Sequence, residues 1–200
     1  MTQIHYSEAL ERLLKREAEK ALALRWAHSE AQRHCSTYDR YLQIPSIILS
    51  FLSGTGAVGS DTLLPFSGGM MVVGFISVFV GILGSVQSYL DFSKRAEGHR
   101  IAALNFEKLH RTISIELALP RSERESPEKL IDRVKKEVDS LSETSPLMPT
   151  AIKEKFKQQF HDLEGIALPE SLNGLSAVDI APEPDAPKEV AQRPIVRITL

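Results

Sequence analysis

Residues 41–60 read YLQIPSIILSFLSGTGAVGS, and residues 68–90 read GGMMVVGFISVFVGILGSVQSYL; only the heptapeptide DTLLPFS, 61–67, separates them. Between Arg40 and Asp91 the single formal charge is Asp61. The two stretches hold 20 and 23 residues, and each is long enough to cross a hydrocarbon core of roughly 30 Å as a helix. A seven-residue connector leaves room only for an antiparallel hairpin. The sequence therefore predicts a two-pass transmembrane hairpin.

Whole-chain averages hide this window. A mean hydropathy of -0.12 and 25% charged residues describe an ordinary soluble protein, because charge-rich flanks dilute the apolar centre. The net charge of -2 gives no basic face for nucleic acid. Cys35 is the single cysteine, so no intrachain disulfide can form, which fits a reducing compartment. MTQIHYSEALERLLKREAEK, the first twenty residues, lacks the apolar run of a cleavable secretory signal, so the first span is expected to direct its own insertion. Arg25, Arg33 and Arg40 precede the first span, and Lys94, Arg95, Arg100 and Lys108 follow the second, while the connector has no basic residue. The positive-inside bias then places both termini in the cytosol and Asp61 on the far side.

Ahead of this window, residues 1–40 are expected to form an amphipathic helix. Ser7 is its N-cap, and Glu8 and Glu11 complement the positive end of the helix dipole. Its seam is Leu10, Leu14, Glu17, Ala21, Leu24, His28, Ala31, Cys35, Tyr38 and Leu42, a three-four spacing suited to a partner helix. The helix should run into the first span with a kink near Pro45, whose ring opposes the carbonyl four residues earlier. The second span, 68–90, should continue through 91–119 without a break until Pro120, with Gly98 as its weak point. Ala102, Phe106, Leu109, Ile113 and Leu117 form the stripe that faces the first helix. Residues 120–164 hold two short amphipathic helices. One starts at Ser126-Pro127-Glu128 with proline at the first helical position and carries Leu130, Val134, Val138 and Leu141. The other carries Ile152, Phe156, Phe160 and Leu163. From 165 to 200 the chain is rich in proline, alanine and acids, as in APEPDAPKE, and reads as an extended tail. Its end, IVRITL, is β-prone: it is either a frayed terminus or a strand that adds to a partner through Ile195, Val196, Ile198 and Leu200.

Gly54-Thr-Gly56-Ala-Val-Gly59 matches the GxGxxG dinucleotide fingerprint by letter. That fingerprint needs a preceding strand and an acid about twenty residues on, and Thr62 to Leu90 contains no acid. Helix packing suits these residues better. Ser46, Ser50 and Gly54 recur every four residues in the first span, and Ser77, Gly81 and Ser85 do so in the second. Small residues on one stripe let helix backbones approach in lipid, either within the hairpin or between protomers. Neither span contains an ionisable group of the kind that marks a transport path. The histidines His28, His34, His99 and His110 form no HxxxH pair, so no metal site is expected. No GxSxG, Walker A or HExxH sequence occurs. Catalytic residues and cofactors are expected to be none.

Trp26 and Tyr38 ahead of the first span, Ile44-Pro45-Ser46 at its start, and Asp91, Ala96 and His99 after the second resemble the pattern of the SLATT superfamily of two-transmembrane proteins. The likeness covers roughly residues 10 to 117. Glu116-Leu-Ala-Leu-Pro120, Leu141 and Glu143-Thr-Ser-Pro146-Leu-Met-Pro149 look like SLATT-type proteins encoded by large DNA viruses of algae and amoebae. For bacterial members the resemblance implies a pore-forming effector of conflict systems, driven by separate nucleotide-sensing partners. For viral members it implies a virion or internal-membrane component.

The expected fold class is thus all-α and membrane-embedded: a two-pass hairpin with long cytosolic helical extensions, a small helical C-terminal module and an extended Pro-rich tail. The expected function is a non-enzymatic, oligomerising membrane anchor or scaffold. Its partners would be the lipid bilayer, further copies of itself and a soluble protein, a capsid protein among the candidates, bound through the stalk or tail. A minor capsid or inner-membrane role at a capsid–membrane interface follows from the viral resemblance. The alternatives are a pore-forming effector and a soluble bundle that buries the hairpin as a core pair.

Overall fold

A computed structural model describes residues 5–58, 68–160 and 166–174, and these are helical with no strands. The helices are α1 (Glu8–Val58), α2 (Gly69–Leu90), α3 (Phe92–Ala118), α4 (Pro127–Thr144), α5 (Thr150–Gln159) and α6 (Glu170–Asn173). The 61–67 connector and the tail beyond Gly174, including Ile195, Val196, Ile198 and Leu200, lie outside the described residues, as does Leu163.

The 51 residues of α1 rise about 75 Å at 1.5 Å each. Ser7 caps the helix: its Oγ accepts the Leu10 amide at 3.2 Å. The helix passes through Pro45, which has no N–H to give to the Tyr41 carbonyl. α2 and α3 together run antiparallel to α1. The Tyr6 hydroxyl donates to the Glu125 carbonyl, His110 Nδ1 meets the Ala18 carbonyl, His28 meets His99 and Ser53 meets Ser77. Each step up α1 is a matching step down the return helices.

The return is not one unbroken helix. Asp91, between α2 and α3, adopts the left-handed conformation with φ 45° and ψ 48°. Aspartate is one of the few non-glycine residues that tolerates it. The hydrogen-bond ladder survives on both sides: the Asp91 amide reaches the Gln87 carbonyl at 2.9 Å, and the Arg95 amide reaches the Asp91 carbonyl at 3.1 Å. Gly98, expected as the weak point, lies inside α3. A Cβ there would stand 3.0 Å from Pro146 Cγ, so glycine admits the 145–149 segment against the stalk.

The core lies in the stalk formed by the N-terminal two-thirds of α1 and by α3. Leu10, Leu14, Ala18 and Ala21 pack against Ala102, Phe106, Leu109 and Ile113, and α4 closes the cluster with Leu130, Val134 and Leu141. Ala18 takes the buried place beside Glu17, which stays at the edge and pairs with Lys20 at 3.0 Å. α5 and α6 cover another stretch of α1, where Ile152, Phe156 and Leu172 meet Ala27 and Ala31. Trp26 packs edge-on against Phe156 and Phe160 with ring centroids 5.6 and 5.0 Å apart. At the far end of the stalk, Glu11 accepts hydrogen bonds from Arg121 and Arg124. These hold its carboxyl well below the usual carboxylate range.

Candidate functional site

The feature that stands apart is the hairpin of α2 with the last third of α1. An 18-residue window of the α2–α3 run has a mean hydropathy of 2.2 and is only 11% buried. This is the one helix among the described residues found long and apolar enough to cross a membrane. Within this single chain, the apolar window is therefore not covered as the core helix of a soluble bundle would be. Ile47, Phe51 and Leu52 on α1, and Met70, Met71, Phe75, Val78, Phe79 and Ile82 on α2, all point outward with more than half of their surface exposed. The outward apolar band ends at Tyr41 and Tyr89, which are 72% and 86% exposed and stand at matching levels of the antiparallel pair. Charge resumes immediately beyond them, at Arg40 and Asp91. Tyrosine at such a boundary is apolar along its ring and polar at its tip.

The contact between the two helices runs along another line. The residues buried or half-buried there are Leu42, Ser46, Leu49, Ser53 and Gly56 on α1, and Gly69, Val73, Ile76, Val80, Leu83, Gln87 and Leu90 on α2. Near its tip, Ser53 Oγ and Ser77 Oγ are 2.6 Å apart, and Ser77 Oγ also donates to the Val73 carbonyl at 3.0 Å. A Cβ on Gly56 would stand 3.1 Å from Val73 Cγ2, so the valine side chain packs onto the bare glycine backbone there.

The small-residue positions named from the sequence divide between these faces. Ser46 is half-buried in the seam, and Ser77 reaches across it to Ser53. Ser50, Gly54, Gly81 and Ser85 are exposed. A Cβ on Gly54 or Gly81 would meet nothing within 4 Å, and the same holds at Gly74 and Gly84. Ser50 and Ser85 donate to the carbonyls of Ser46 and Gly81 on their own helices, at 2.7 and 2.9 Å. The sequence reading missed Ser53, Gly56 and Val73. The signal lay in the seven-residue step from Ser46 to Ser53 and the three-residue step on to Gly56. Gly54 and Gly56 are helical, so no strand leads into the glycine fingerprint.

No family model, curated protein or solved structure matches this chain. Chemistry must therefore be read from the residues alone. Among the described residues, no group of three or more His, Cys, Asp or Glu side chains is placed to hold a metal ion. The burial that surrounds Cys35 raises its thiol pKa, opposed by Arg95, which keeps it protonated and unreactive. Beside the stalk, Trp26, Phe156, Phe160, Ile166 and Leu168 line an open groove of about 420 Å³, with Glu30 and Arg33 on its wall.

Proposed function

We propose that this chain is a non-enzymatic, two-pass membrane protein that acts as an oligomerising anchor or scaffold. The observation that carries the reading is the hairpin's outer surface, apolar and uncharged on every described side, mounted on a stalk whose outer surface is charged. An exposed apolar patch of that extent marks a surface that a membrane or another protein covers. In a bilayer it is the ordinary surface of a helix. In this reading the chain crosses the membrane twice, both ends face the cytosol, and the tyrosine pair marks the headgroup level.

The exposed positions Gly74, Gly81, Gly84 and Ser85 support association between copies, because they are not used inside one hairpin and small residues favour close helix approach in lipid. The aromatic groove beside α1 and the residues after Gly174 are the surfaces offered to a soluble partner. The resemblance to viral SLATT-type proteins supports a minor capsid or inner-membrane role in a large DNA virus, with capsid proteins as the soluble partners. The same open glycine faces favour a second reading, a ring of hairpins that opens a pore as the effector members of that superfamily are thought to do.

Alkaline carbonate extraction tests insertion: the full chain should stay in the membrane pellet, and its release would overturn the reading. Dye leakage from vesicles carrying the purified protein separates the two functions. The anchor leaves dye inside, and rapid release identifies the pore. Gly81→Leu should reduce cross-linking between copies while leaving extraction unchanged.

A further inference from the structure

One buried polar contact has no part in the membrane reading. His28 on α1 and His99 on α3 are each 3% exposed, and their Nδ1 atoms face each other at 2.9 Å. The rings are tilted by 39° with centroids 5.1 Å apart, and His28 lies flat against Phe106 with centroids at 5.5 Å. Three or four residues along each helix, Ala31, Ala96, Ala102 and Ala103 are buried and Leu24 is half-buried, while Arg25 and Arg95 at the same spacing point to the exposed side.

We propose that His28 and His99 form an acid-sensitive latch: neutral, the pair holds α1 against α3 below the hairpin, and protonated, it lets the two helices part there.

The geometry allows one hydrogen between the facing nitrogens. One ring donates its Nδ1–H and the other accepts at its Nδ1 lone pair, so both rings are neutral while the contact stands. The donor ring then keeps a lone pair on Nε2, and the acceptor ring carries its hydrogen there. A first proton, taken at the donor's Nε2, preserves the hydrogen bond but places a full charge in an apolar seam. A second, taken at the acceptor's Nδ1, sets two N–H groups against each other at 2.9 Å, and the rings must separate. The two sites titrate as a coupled pair. Burial, reinforced by the neighbouring ring, lowers His28 to about 4, and burial lowers His99 as well.

The surrounding charges are already engaged elsewhere or lie outside the seam. On α1, Arg25 reaches Glu107 of α3 at 3.5 Å, and Glu30 is shared by Arg33 and by Lys155 of α5. On α3, Glu97 and Arg100 pair with each other at 2.7 Å, and Arg95 acts on Cys35. From the 145–149 segment, Pro146 lies against Gly98, the residue before His99. His99 is the one charged or titratable group that acts on His28. Opening at the pair has a short path to the hairpin. Asp91, the single left-handed residue that joins α2 to α3, lies eight residues from His99, about 12 Å of helix, while α1 is continuous through both regions.

The test uses the full chain in phosphatidylcholine vesicles, with Cys35→Ala and spin labels at the exposed positions Thr37→Cys and Ser93→Cys. Pulsed electron resonance should give one short label separation at pH 7.5. As the pH falls from 6.5 to 4 a longer separation should appear, and it should reverse on neutralisation. The double variant His28→Gln, His99→Gln, whose amides can still bond across the seam, should keep the short separation throughout. Nitrogen-15 spectra of the isotope-enriched wild-type chain without spin labels supply a readout free of substitutions: at pH 7.5 they should show one ring protonated at Nδ1 and its partner at Nε2. An unchanged separation in the wild type, an equal lengthening in the double variant, or imidazolium signals from both rings at pH 7.5 would overturn the latch. If the double variant does not fold, the wild-type spectra decide, since ring protonation must then accompany the lengthening. The latch concerns the stalk alone, so it stands or falls separately from membrane insertion.

Discussion

The stalk and the hairpin are built from the same pair of antiparallel helices, yet they are inside-out relative to each other. In the stalk, the seam is apolar and buried: Leu14, Leu109 and Ile113 have 2% exposure or less. Its outer faces carry the charges, including the Arg25–Glu107 and Glu97–Arg100 pairs. In the hairpin the outer faces hold the large apolar side chains, and the seam has a serine–serine hydrogen bond and a glycine contact near its tip. A different force holds each half. Water drives the stalk together by excluding apolar area, worth roughly 25 cal/mol per Å². Under the proposed insertion that drive is missing between the hairpin helices, and close packing with modest hydrogen bonds would replace it.

The largest effect is expected in the stalk. Ile113 is fully buried, and Ile113→Ala should cost about 2–5 kcal/mol, read as a lower urea midpoint of the stalk helices by circular dichroism. An effect below 1 kcal/mol, on the order of a surface substitution, would mean that the stalk is not held by its core. Next in size is a charge on the hairpin's outer face. Phe79→Arg should oppose insertion by about 2.5–3.5 kcal/mol and shift the protein toward the carbonate-soluble fraction. Leu104→Arg, on the exposed side of α3, should leave that fraction unchanged. Equal behaviour of the two variants would erase the distinction between the halves.

Acid provides a third handle on the stalk. A folded state that holds His28 near pH 4 rather than 6.5 binds fewer protons than the unfolded chain between those values, so stability rises with pH across that window. The stalk should be fully stable above pH 6.5 and lose about 3 kcal/mol as the pH falls toward 4. Urea midpoints at pH 7.5 and 5.0 measure it, and a flat profile contradicts the buried neutral pair. The carboxyl of Glu11, held low by two arginines, contributes its own loss only below the ordinary carboxylate range. Smallest is Ser53→Ala, which removes the contact with Ser77 and should weaken hairpin pairing by about 0.6 kcal/mol, detectable as increased separation of labels near the hairpin tip.

Much of the helical plan was legible in the sequence because periodicity and capping act locally. Ser7, the seam from Leu10 to Cys35, the stripe from Ala102 to Leu117 and Pro127 at a helix start each announce themselves within a few residues. The break at Asp91 was not legible. It involves neither proline nor glycine, and aspartate enters the left-handed region without a distinctive neighbourhood. Gly98 drew attention as a weak point, whereas its use depends on Pro146, far along the chain. The histidine pair joins residues 71 positions apart, which no spacing rule connects. In the hairpin, the regular four-residue stripe of Ser46, Ser50 and Gly54 obscured the seam through Ser53 and Gly56, because serine and glycine occupy both faces.

The central claim is that the outer face of the hairpin is solvated by lipid while that of the stalk is solvated by water. Single spin labels at Phe51, Phe75, Phe79 and Ile82, compared with Thr37 and Ser93 in reconstituted vesicles, test it through collision with oxygen and with a water-soluble nickel chelate. The account predicts high oxygen and low nickel accessibility at the four hairpin positions, with the order reversed at Thr37 and Ser93. Nickel accessibility at Phe75 and Phe79 equal to that at Thr37 would contradict it.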